Sequence, residues 1–511
     1  MHIEPSAQAF AERYAAGEPQ VVWTTLVADL ETPVSAFIKI AGARPETSSA
    51  MSFLLESVEG GAVRGRYSII GLEPDVIFRV NGKQAEINRT VQTDPAAFVE
   101  LDDAPLTALR ALLGESRIAL PVSLPPMAAG VFGYLGYDMV RLMEHLPQPE
   151  RDPIGIPDAI LARPTLVIAF DAVEDTITIV TPVRAQPGVP AKAALARAVE
   201  RLSAVVDALD KPLDKSAATA SHAGPLHVEP QSNTTPAEFK RMVLRAKDYI
   251  AAGDIFQVVL SQRFEAPFAL PPFSLYRALR RVNPSPYLYF LDFGDFAVAG
   301  SSPEILVKTA GGTVTIRPIA GTRRRGATPH EDLALEAELL ADPKERAEHL
   351  MLLDLGRNDV GRVAQIGTVK VTDQFFIERY SQVMHIVSNV EGKLRSDRDA
   401  IDALSAGFPA GTVSGAPKVR AMQIIDELEK DKRSLYAGCV GYFSAGEDLD
   451  SCIVLRTALI KDGTMYVQAG AGIVADSDPD FEQQECINKA KALFRAAEEA
   501  KRFASGARRG Q

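Results

Sequence analysis

The sequence predicts an α+β fold with a large, mostly antiparallel β-sheet core flanked by helices. Runs rich in Val, Ile, Thr, Tyr and Phe follow one another between turn residues, as is typical of strands. Amphipathic segments with helical spacing lie around these runs, without the strict strand–helix–strand alternation of a parallel fold. The chain has 511 residues, so we expect two or more domains.

Composition and charge narrow the class of protein. Hydrophobic residues make up 46% of the chain and charged residues 24%, as in ordinary soluble globular proteins. The net charge of −11 argues against a nucleic-acid binder. Acids interrupt the most apolar stretch, residues 163–183, so no membrane span is predicted. The N-terminus lacks a leader pattern and the three cysteines form no metal or disulfide set, so we expect a cytoplasmic protein.

The N-terminal part ends where the composition changes. From about residue 184 to residue 236 the chain is rich in Ala, Pro, Ser and Lys. A helix is predicted over 191–208, and the remainder, especially "DKSAATASHAGP", is typical of a linker. We therefore predict one domain over 1–225, with its linker from about 184, packed on a second domain over 226–511.

The C-terminal part mixes strands and helices. A helix ends at Gly253, and strands are predicted for "IFQVVLSQRFEA", "YLYFLDFG", "FAVAGSSPEILVK", "TVTIRPIAG" and "VMHIVSNVEGKL". Pro417 opens a further helix in its first turn. Three more strands, "GCVGYFS", "LDSCIVLRTALIKDG" and "TMYVQAGAGIV", precede a last helix that starts near Pro479.

Two helices each carry a pair of glutamates three residues apart, Glu345 with Glu348 and Glu482 with Glu485. Residues three apart share a helix face. If the two faces meet, four carboxylates need a cation, and ligands that are all oxygen favour Mg²⁺. Spacing alone does not show that the helices touch, and these glutamates could instead lie on solvated faces.

Two neighbouring residues bear on these pairs. Asp342 precedes Glu345 by three residues, so Glu345 could be the glutamate of a capping box. Lys489 follows Glu485 by one helical turn and could pair with an acid or with a substrate carboxylate.

Two glycine-rich segments are candidate anion sites. "FPAGTVSGAPK", residues 408–418, runs into a helix start, where free N–H groups favour an anion, but it is not a Walker A sequence. "QAGAGIVA", residues 468–475, matches G-x-G-x-x-A, yet "DSDPD" separates it from the next helix. A turn that exposes backbone N–H groups is therefore favoured over a dinucleotide-binding loop.

Four other features are candidates for function that also have structural explanations. His385 shares an apolar strand face with valines, where a structural role is the more common one. Arg456, inside the apolar run "CIVLRTALI", needs a carboxylate partner that a substrate could supply. Cys439 lies in a strand pattern and is predicted to be core. The run 323–325, three arginines, is predicted to be solvated or locally paired.

Taken together, these motifs resemble those of the chorismate-utilising enzymes, most closely the large subunits of anthranilate synthases. "PIAGTRRRG", "EHLMLLDLGRND", "VMHIVS", "PAGTVSGAPK", "YAGCVGYFS" and "QAGAGIVADSDP" occur in the family's order. "LLESVEGGAVRGRYSIIG" and "GVFGYLGYD" are similar to its N-terminal regulatory domain. The resemblance covers nearly the whole chain and implies a regulatory domain over 1–225 and a chorismate-binding catalytic domain over 226–511.

Two positions separate the branches of this family. Relatives that add water to chorismate have a lysine where this chain has Gln257, and an amine there can deprotonate water. Aminodeoxychorismate synthases typically carry a lysine where this chain has Ala320, and an amine there can attack the ring. The resemblance therefore implies the amination of chorismate to anthranilate in tryptophan biosynthesis, with aminodeoxychorismate synthase as the alternative. An NAD-dependent enzyme and a catalytically silent binding module are more distant rivals.

The resemblance also assigns roles to residues. It implies Mg²⁺ held chiefly by Glu348 and Glu485, with Glu345 and Glu482 nearby. Glu304 is implied as the general acid and His385 as the helper in pyruvate elimination, while Gln257 selects ammonia. The implied contacts with chorismate are Gly321, Thr322, Thr412, Tyr436, Arg456, Gly470, Ala471, Gly472 and Lys489.

Partners and regulation follow from the same resemblance. Ammonia would come from a separate glutamine amidotransferase subunit, so a hetero-oligomer is expected. Tryptophan would inhibit at a site drawn from both domains. That site comprises Leu55, Glu56, Ser57, Pro286, Tyr287 and Leu288. The simpler interpretation of those segments is a strand for "LLES" and a tight turn for "NPSP".

Overall fold

The predicted α+β class is confirmed, and every strand pairing is antiparallel. The computed structural model describes residues 1–42, 51–59, 63–147, 151–213, 229–380 and 383–503. The strands of the N-terminal part are β1 (Gln20–Val27), β2 (Ser52–Glu59), β3 (Val63–Asn81), β4 (Gln84–Asn88), β5 (Val99–Leu101), β6 (Gly130–Leu135), β7 (Ala159–Asp171) and β8 (Thr176–Val183). Those of the C-terminal part are β9 (Gln231–Ser232), β10 (Gln257–Pro267), β11 (Tyr287–Asp292), β12 (Phe296–Ser302), β13 (Ile305–Ala310), β14 (Thr313–Ile316), β15 (Ile319–Arg324), β16 (Lys370–Arg379), β17 (Val383–Lys393), β18 (Gly415–Ala416), β19 (Cys439–Ser444), β20 (Leu449–Ile453), β21 (Thr457–Lys461) and β22 (Thr464–Ile473).

Helices surround these strands. They are α1 (Ala7–Ala15), α2 (Pro33–Ala41), α3 (Pro105–Ser116), α4 (Ala191–Asp210), α5 (Pro236–Ala251), α6 (Pro272–Val282), α7 (Pro329–Ala341), α8 (Pro343–Gly361), α9 (Ala400–Gly407), α10 (Lys418–Leu428) and α11 (Pro479–Glu499). Proline opens seven of these helices, where its missing N–H costs no hydrogen bond. Within the described ranges, no helix is long and apolar enough to cross a membrane.

Two long strands organise the sheets. At Glu73, which has a φ of +53°, β3 bends, and its pairing with β7 shifts register between Pro74 and Val76. One end of β3 pairs with β2, and the other end pairs with β4. One end of β7 likewise pairs with β8 and the other with β6. Bulged strands of this kind bend a sheet, so β3 and β7 take part in two sheets.

Both sheets run from the N-terminal into the C-terminal part. The first sheet has the strand order β1–β8–β7–β3–β2–β11–β12–β21–β22–β10. The second has the order β5–β4–β3–β7–β6–β19–β20–β13–β14–β17, and β15 and β16 flank β17. Two strand pairs, β2 with β11 and β6 with β19, thus join the N-terminal part to the C-terminal part.

An apolar layer fills the space between the sheets. Phe53 and Phe132, whose rings stack at 4.8 Å, belong to it together with Tyr289 and Val440. The outer face of the first sheet is covered by α1, α2, α4, α6 and α11, and that of the second by α3, α8 and α9. The helices α5 and α10 cover β10 and β22. This packing leaves the last strands of the two orders facing α8 and α11. We call these strands, β22 and β10 in the first sheet and β15 to β17 in the second, the far ends of the sheets.

The predicted division near residue 225 stays a prediction. The linker sequence that suggested it lies outside the described residues, which stop at 213 and resume at 229. The predicted helix over 191–208 is present as α4.

Candidate active site

A cavity of about 700 Å³ lies where the far ends of the two sheets meet α8 and α11. We call it the first cavity. Nearly all the predicted catalytic, substrate and metal residues line it, although the sequence scatters them over more than two hundred positions. They are Gln257, Glu304, Gly321, Thr322, Glu345, Glu348, His385, Thr412, Tyr436, Arg456, Gly470, Gly472, Glu482, Glu485 and Lys489.

The two helices with glutamate pairs do meet at this cavity. Asp342 caps α8 by accepting from the N–H groups of Lys344 and Glu345. Asp478 caps α11 in the same way. Each cap fixes where its helix starts and so places one glutamate of each pair in the first turn, and the other one turn later. The capping box predicted for Glu345 is only half formed, because the Glu345 carboxylate binds Arg323 instead of returning to the cap.

The four glutamates differ in how their charge is compensated. Glu345 lies 3.0 Å from Arg323, and Glu485 lies 2.6 Å from Lys489. Glu348 and Glu482 form no ion pair with any described residue. Burial raises the pKa of Glu348, and the neighbouring carboxylates of Glu345 and Glu485 raise it further. Burial also raises the pKa of Glu482, and repulsion by the Glu485 carboxylate raises it further.

The carboxylate oxygens of these four glutamates fit a hard cation, although the side chains do not lie close enough together to form a complete metal site. In the part of the chain that the structure describes, no three His, Cys, Asp or Glu side chains are arranged as ready ligands. Glu348 and Glu482 nevertheless line the cavity without an ion pair to any described residue, and the carboxylate of Glu485 raises the pKa of both. Oxygen donors of this kind prefer Mg²⁺, which usually keeps positions open for further oxygens.

Glu304 is a buried carboxyl group on the cavity wall. It follows β12, is 6% exposed and accepts hydrogen bonds of 3.2 and 3.3 Å from the Oγ1 of Thr412. Burial raises its pKa to about 8, against the smaller lowering effect of Thr412. A carboxyl group with this pKa is protonated at neutral pH and can donate a proton.

His385 lies on β17, opposite Thr322 of β15. Its Nδ1 lies 2.9 Å from the carbonyl oxygen of Gly321 and 3.1 Å from the Oγ1 of Thr322. Burial lowers its pKa to about 4, so the imidazole is neutral at neutral pH. Its ring is thus held in place by polar contacts while it also lines the cavity.

Arg456 is placed differently from the sequence prediction. The run around it forms two strands, β20 and β21, and Arg456 lies between them with a φ of +49°. Burial lowers the pKa of its guanidinium. No carboxylate among the described residues forms an ion pair with it, which leaves its charge available to an anion in the cavity.

The segment "QAGAGIVA" is neither a turn nor a dinucleotide loop, because residues 468–473 continue β22 along β10. The neighbour on the other side, β21, ends its pairing at Val467, so this edge faces the cavity. A Cβ atom on Gly470 would lie 2.7 Å from the Tyr436 hydroxyl, and one on Gly472 would lie 2.5 Å from the Gln257 amide. At Gly470 the Leu260 carbonyl oxygen would also lie only 2.8 Å away, so a side chain does not fit there, whereas a Cβ atom on Gly472 would require the Gln257 amide to move.

Ala471 does not reach the cavity with its side chain. It alternates with the glycines along β22 and packs in the core against α5 and α10. Lys489 approaches the same strand and donates a 2.8 Å hydrogen bond to the carbonyl oxygen of Gly470.

The loop 408–418 is not the anion site that its glycines suggest. Gly415 and Ala416 form β18, which pairs with β10. Lys418, the first residue of α10, is buried and pairs with Asp359 at 2.9 Å. Proline 417 is the N-cap rather than a first-turn residue. Only Thr412 and Val413 of this loop line the cavity.

Some cavity residues could not be found by sequence reasoning. Lys344 lines the cavity beside the glutamates and lowers the pKa of Glu348 and Glu482. Phe481 is 67% exposed at the cavity. In the sequence, Lys344 stands out only by its place in the first turn of α8, next to Glu345. Its contribution to the cavity can be recognised only once α8 and α11 are known to meet.

A second cavity, of about 720 Å³, lies between the sheets. The six residues predicted for an inhibitor line it, because β2 and β11 are neighbours and Ser57 pairs with Tyr287. "LLES" is a strand, but "NPSP" is an irregular link from α6 to β11 instead of a tight turn. Glu56 is not free for a ligand, since Arg280 donates to both its oxygens at 2.6 and 2.8 Å and Tyr276 also binds it.

The two cavities share a wall. Pro303 and Ile319 line both of them, while Glu304 faces the first cavity and Ile305 the second. The segment from Pro303 to Ile305, together with Ile319, therefore forms the boundary between the two cavities.

Two structural expectations for other residues are confirmed. The arginine run 323–325 is locally paired, with Arg324 on Glu331 and Arg325 on Asp332. Cys439 is buried in the core.

Comparison with known proteins is consistent with this geometry. Residues 12–495 match the family model of chorismate binding enzymes. The chain is 56% identical over 507 residues to anthranilate synthase component 1 of Cereibacter sphaeroides, covering 99% of this chain and 100% of the relative. It is 46% identical to the same component of Pseudomonas putida, covering 92% of this chain and 93% of the relative.

Solved structures give the same picture. Anthranilate synthase component I from Streptococcus pneumoniae matches with a TM-score of 0.73 at 37% identity, over 92% of this chain and 98% of that chain. The menaquinone-specific isochorismate synthase from Escherichia coli matches with a TM-score of 0.69 at 21% identity, over 96% of this chain and 100% of that chain. The second likeness shows a shared fold.

Proposed function

The chain belongs to the chorismate-binding enzymes, in the group of anthranilate synthase component I, and from this premise we propose that it converts chorismate and ammonia to anthranilate and pyruvate, with Mg²⁺ as cofactor and tryptophan as feedback inhibitor. The observation that carries the choice of nucleophile is the pair Gln257 and Ala320. Both line the first cavity, and neither side chain can act as a base or attack the ring.

Chorismate is a dicarboxylate, and the first cavity offers a distinct partner for each carboxylate. Arg456, Tyr436 and the edge of β22 would bind the enolpyruvyl carboxylate. The glutamates of α8 and α11 would hold the cation that binds the ring carboxylate. Gly321 and Thr322 line the same cavity and would close another side of the substrate. Different partners for the two carboxylates would orient the ring for attack at one carbon.

The ring carboxylate would otherwise meet like charges. Glu348 and Glu485 chiefly, with Glu345 and Glu482 beside them, would hold Mg²⁺. When bound, the ion neutralises the ring carboxylate and fixes its orientation. The support for this is that Glu348 and Glu482 line the cavity and form no ion pair with a described residue, and that their pKa values are raised even with Lys344 nearby.

The amination step requires a proton donor. Ammonia attacks the carbon beside the ring carboxylate, the double bonds shift, and the ring hydroxyl leaves as water. Glu304 supplies the proton for that water, since burial keeps it protonated with a pKa of about 8. Gln257 lies near the attacking side, where its amide donates to Glu348 and offers no base for a competing water.

The elimination step requires a proton acceptor. Loss of a ring proton and cleavage of the ether bond release pyruvate and leave the aromatic ring of anthranilate. His385 assists this step, because its imidazole is neutral and its Nδ1 is fixed by Gly321 and Thr322. A fixed neutral ring can accept a proton without reorienting.

Ammonia would come from a separate glutamine amidotransferase subunit. A glutaminase needs a reactive thiolate, whereas all three cysteines of this chain are buried and free. Burial raises the pKa of Cys439 and Cys486 to about 12 and raises that of Cys452 well above its usual value. None of them suits a nucleophile.

Tryptophan would bind in the second cavity. Ser57, Tyr287 and Leu55 offer a hydroxyl, an aromatic ring and an apolar side chain to an indole amino acid, whereas the side chain of Leu288 packs on the outer face of the first sheet. Glu56 contributes less than expected, because Arg280 already neutralises it. The shared wall at Pro303 and Ile319 gives such a ligand a short route to Glu304, provided the two arrangements of the wall bind tryptophan differently.

Product analysis tests the proposal directly. The purified chain is incubated with chorismate, Mg²⁺ and an ammonium salt, and the products are separated by chromatography. Anthranilate and pyruvate in equal amounts are expected. Isochorismate would show that water is the nucleophile. Aminodeoxychorismate would favour the alternative branch, against which Ala320 is the structural argument.

A further inference from the structure

The wall between the two cavities contains the side chain of Tyr380, to which the proposed mechanism assigns no role. Tyr380 follows β16, is 4% exposed and lines the second cavity. Its ring lies edge-on against the ring of His385, with 5.4 Å between the ring centroids and 62° between the planes. His385 lines the first cavity, so this ring contact passes through the wall.

The hydroxyl of Tyr380 is anchored on the far side. It donates a 2.8 Å hydrogen bond to Oε2 of Glu378, and Arg317 donates to Oε1 of the same carboxylate at 3.3 Å. Arg317 and Glu378 both line the second cavity. The backbone of Tyr380 is also fixed, because Arg325 donates a 2.7 Å hydrogen bond to its carbonyl oxygen.

These contacts leave the Tyr380 ring little freedom. His385 is held by Gly321 and Thr322 at its Nδ1 alone, so these contacts restrain only one side of the imidazole. The Tyr380 ring, packed against it at 5.4 Å between centroids, restricts the remaining movement. Aromatic pairs of this geometry contribute about 0.5–1.5 kcal/mol beyond their buried area.

We propose that Tyr380 is a positioning residue for His385, whose imidazole it holds at the angle needed for pyruvate elimination. Tyr380 lines the second cavity and not the first, so it would act on the substrate through His385. The proposal rests on the proposed function for its kinetic test, and on the geometry alone for its spectroscopic test.

The kinetic test is a double-mutant cycle with Tyr380→Leu and His385→Ala. Tyr380→Leu removes the ring and is expected to lower kcat at least tenfold while the KM for chorismate changes less than threefold. In the His385→Ala background the same substitution should cost less than twofold, because there is no imidazole left to position. Losses that multiply would overturn the proposal, since they would show that Tyr380 acts independently of His385.

Two further variants separate positioning from general stability. Tyr380→Phe keeps the ring and should recover most of the activity lost in Tyr380→Leu. Tyr14→Leu removes a ring of similar burial that stacks on Phe10 and lines neither cavity, so its kcat should equal that of the wild type. A fall in kcat for Tyr14→Leu as large as that for Tyr380→Leu would count against a specific role.

The spectroscopic test does not depend on activity. Histidine labelled with ¹³C at Cε1 is incorporated, and the His385 signal is identified by its loss in His385→Ala. Tyr380→Leu should move this signal, because the ring current of Tyr380 is lost, and Tyr380→Phe should move it much less. An unmoved His385 signal in Tyr380→Leu would overturn the proposed contact. A moved signal in a protein that forms no anthranilate would leave the contact standing and refute the proposed function.

Discussion

The Nε2 amide of Gln257 donates a 3.3 Å hydrogen bond to Oε1 of Glu348. The residue proposed to select the nucleophile is thus in direct contact with a residue proposed to hold the metal. The same amide fills the space beside Gly472, where a Cβ atom would approach it to 2.5 Å. Any change at position 257 therefore acts on the nucleophile and on the glutamates together.

Gln257→Lys should give the enzyme some water-adding activity, detected as isochorismate by chromatography. An amine at this position can deprotonate water, but it also places a positive charge beside Glu348 and so weakens the attraction for Mg²⁺. We expect a lower total rate and a higher requirement for Mg²⁺. Gln257→Met, which has a similar length and no amine, is the control. A fully active Gln257→Lys enzyme that forms only anthranilate would contradict this interpretation.

Glu348→Gln and Glu485→Gln should each lower activity at least about a hundredfold. Apo Glu348→Gln should keep or slightly raise its melting temperature, because the substitution relieves repulsion among carboxylates. Apo Glu485→Gln relieves the same repulsion but loses the ion pair with Lys489, so its melting temperature should stay close to that of the wild type. Isothermal titration should show weaker Mg²⁺ binding. Glu499→Gln, near the end of the same α11 and outside the cavity, is the matched control. Normal turnover at limiting Mg²⁺ in either cavity variant would refute the metal assignment.

The rate should fall as the pH rises through about 8. Glu304 must be protonated to act as a general acid, and burial raises its pKa to about 8. A plot of kcat/KM against pH should therefore show a descending limb near that value. Glu304→Gln should lose the limb together with about a hundredfold or more of the activity.

The same carboxyl group links folding stability to pH. Its pKa is raised in the folded state, so the folded protein binds more protons than the unfolded chain. This contribution to stability is complete below the usual glutamate pKa and is lost as the pH rises through about 8. Thermal melts of the wild type and of Glu304→Gln should agree at low pH and separate as the pH rises through this range, with the wild type becoming the less stable protein, because only its side chain ionises. Parallel curves would show that Glu304 titrates normally.

The purified chain should use ammonia and not glutamine. Its three cysteines are buried, and burial raises the pKa of Cys439 and Cys486 to about 12 and that of Cys452 well above its usual value, so no thiolate is available to attack glutamine. Assays with glutamine in place of ammonium should give no anthranilate until an amidotransferase subunit is added. Cysteine-free variants should retain the ammonia-dependent rate if they fold. Glutamine-dependent product from the chain alone would be incompatible with this prediction.

Ser57→Phe should relieve inhibition by tryptophan while catalysis stays largely intact. The substitution places a ring in the second cavity, opposite Tyr287 in the strand pair. Ser52→Phe, on the same strand and outside that cavity, should be inhibited like the wild type. Inhibition curves for the three proteins give the answer. A wild type that ignores millimolar tryptophan would remove the basis of the regulatory proposal, and an inhibited Ser57→Phe enzyme would place the site elsewhere.

Local patterns predicted much of the secondary structure. The β-branched and aromatic runs are strands, and the spacing around Glu345 and Glu482 lies on helices as expected. What spacing could not show is that α8 and α11 face each other, because that depends on strand pairings between distant segments. The cation beside Glu345 was equally hidden, since Arg323 comes from the neighbouring strand β15, whereas helical spacing did predict that Lys489 could pair with Glu485.

The failures have local causes too. Arg456 interrupts a strand by adopting a positive φ, and no glycine or proline in "CIVLRTALI" announces it. The glycines of "QAGAGIVA" suggest a turn, but Gly470 and Gly472 lie within a strand, where Tyr436 and Gln257 approach them closely. Lys418 suggests an anion site until Asp359 is found beside it.

The strand pairs that join the two parts also affect how the chain is made. Glu56 and Tyr276 form a hydrogen bond across 220 positions of the sequence, and contacts this distant slow folding. During synthesis, β2 and β6 emerge long before their partners β11 and β19, and every residue of β6 is buried in the finished protein. Until translation reaches those partners, the nascent chain carries two apolar strand edges that invite aggregation.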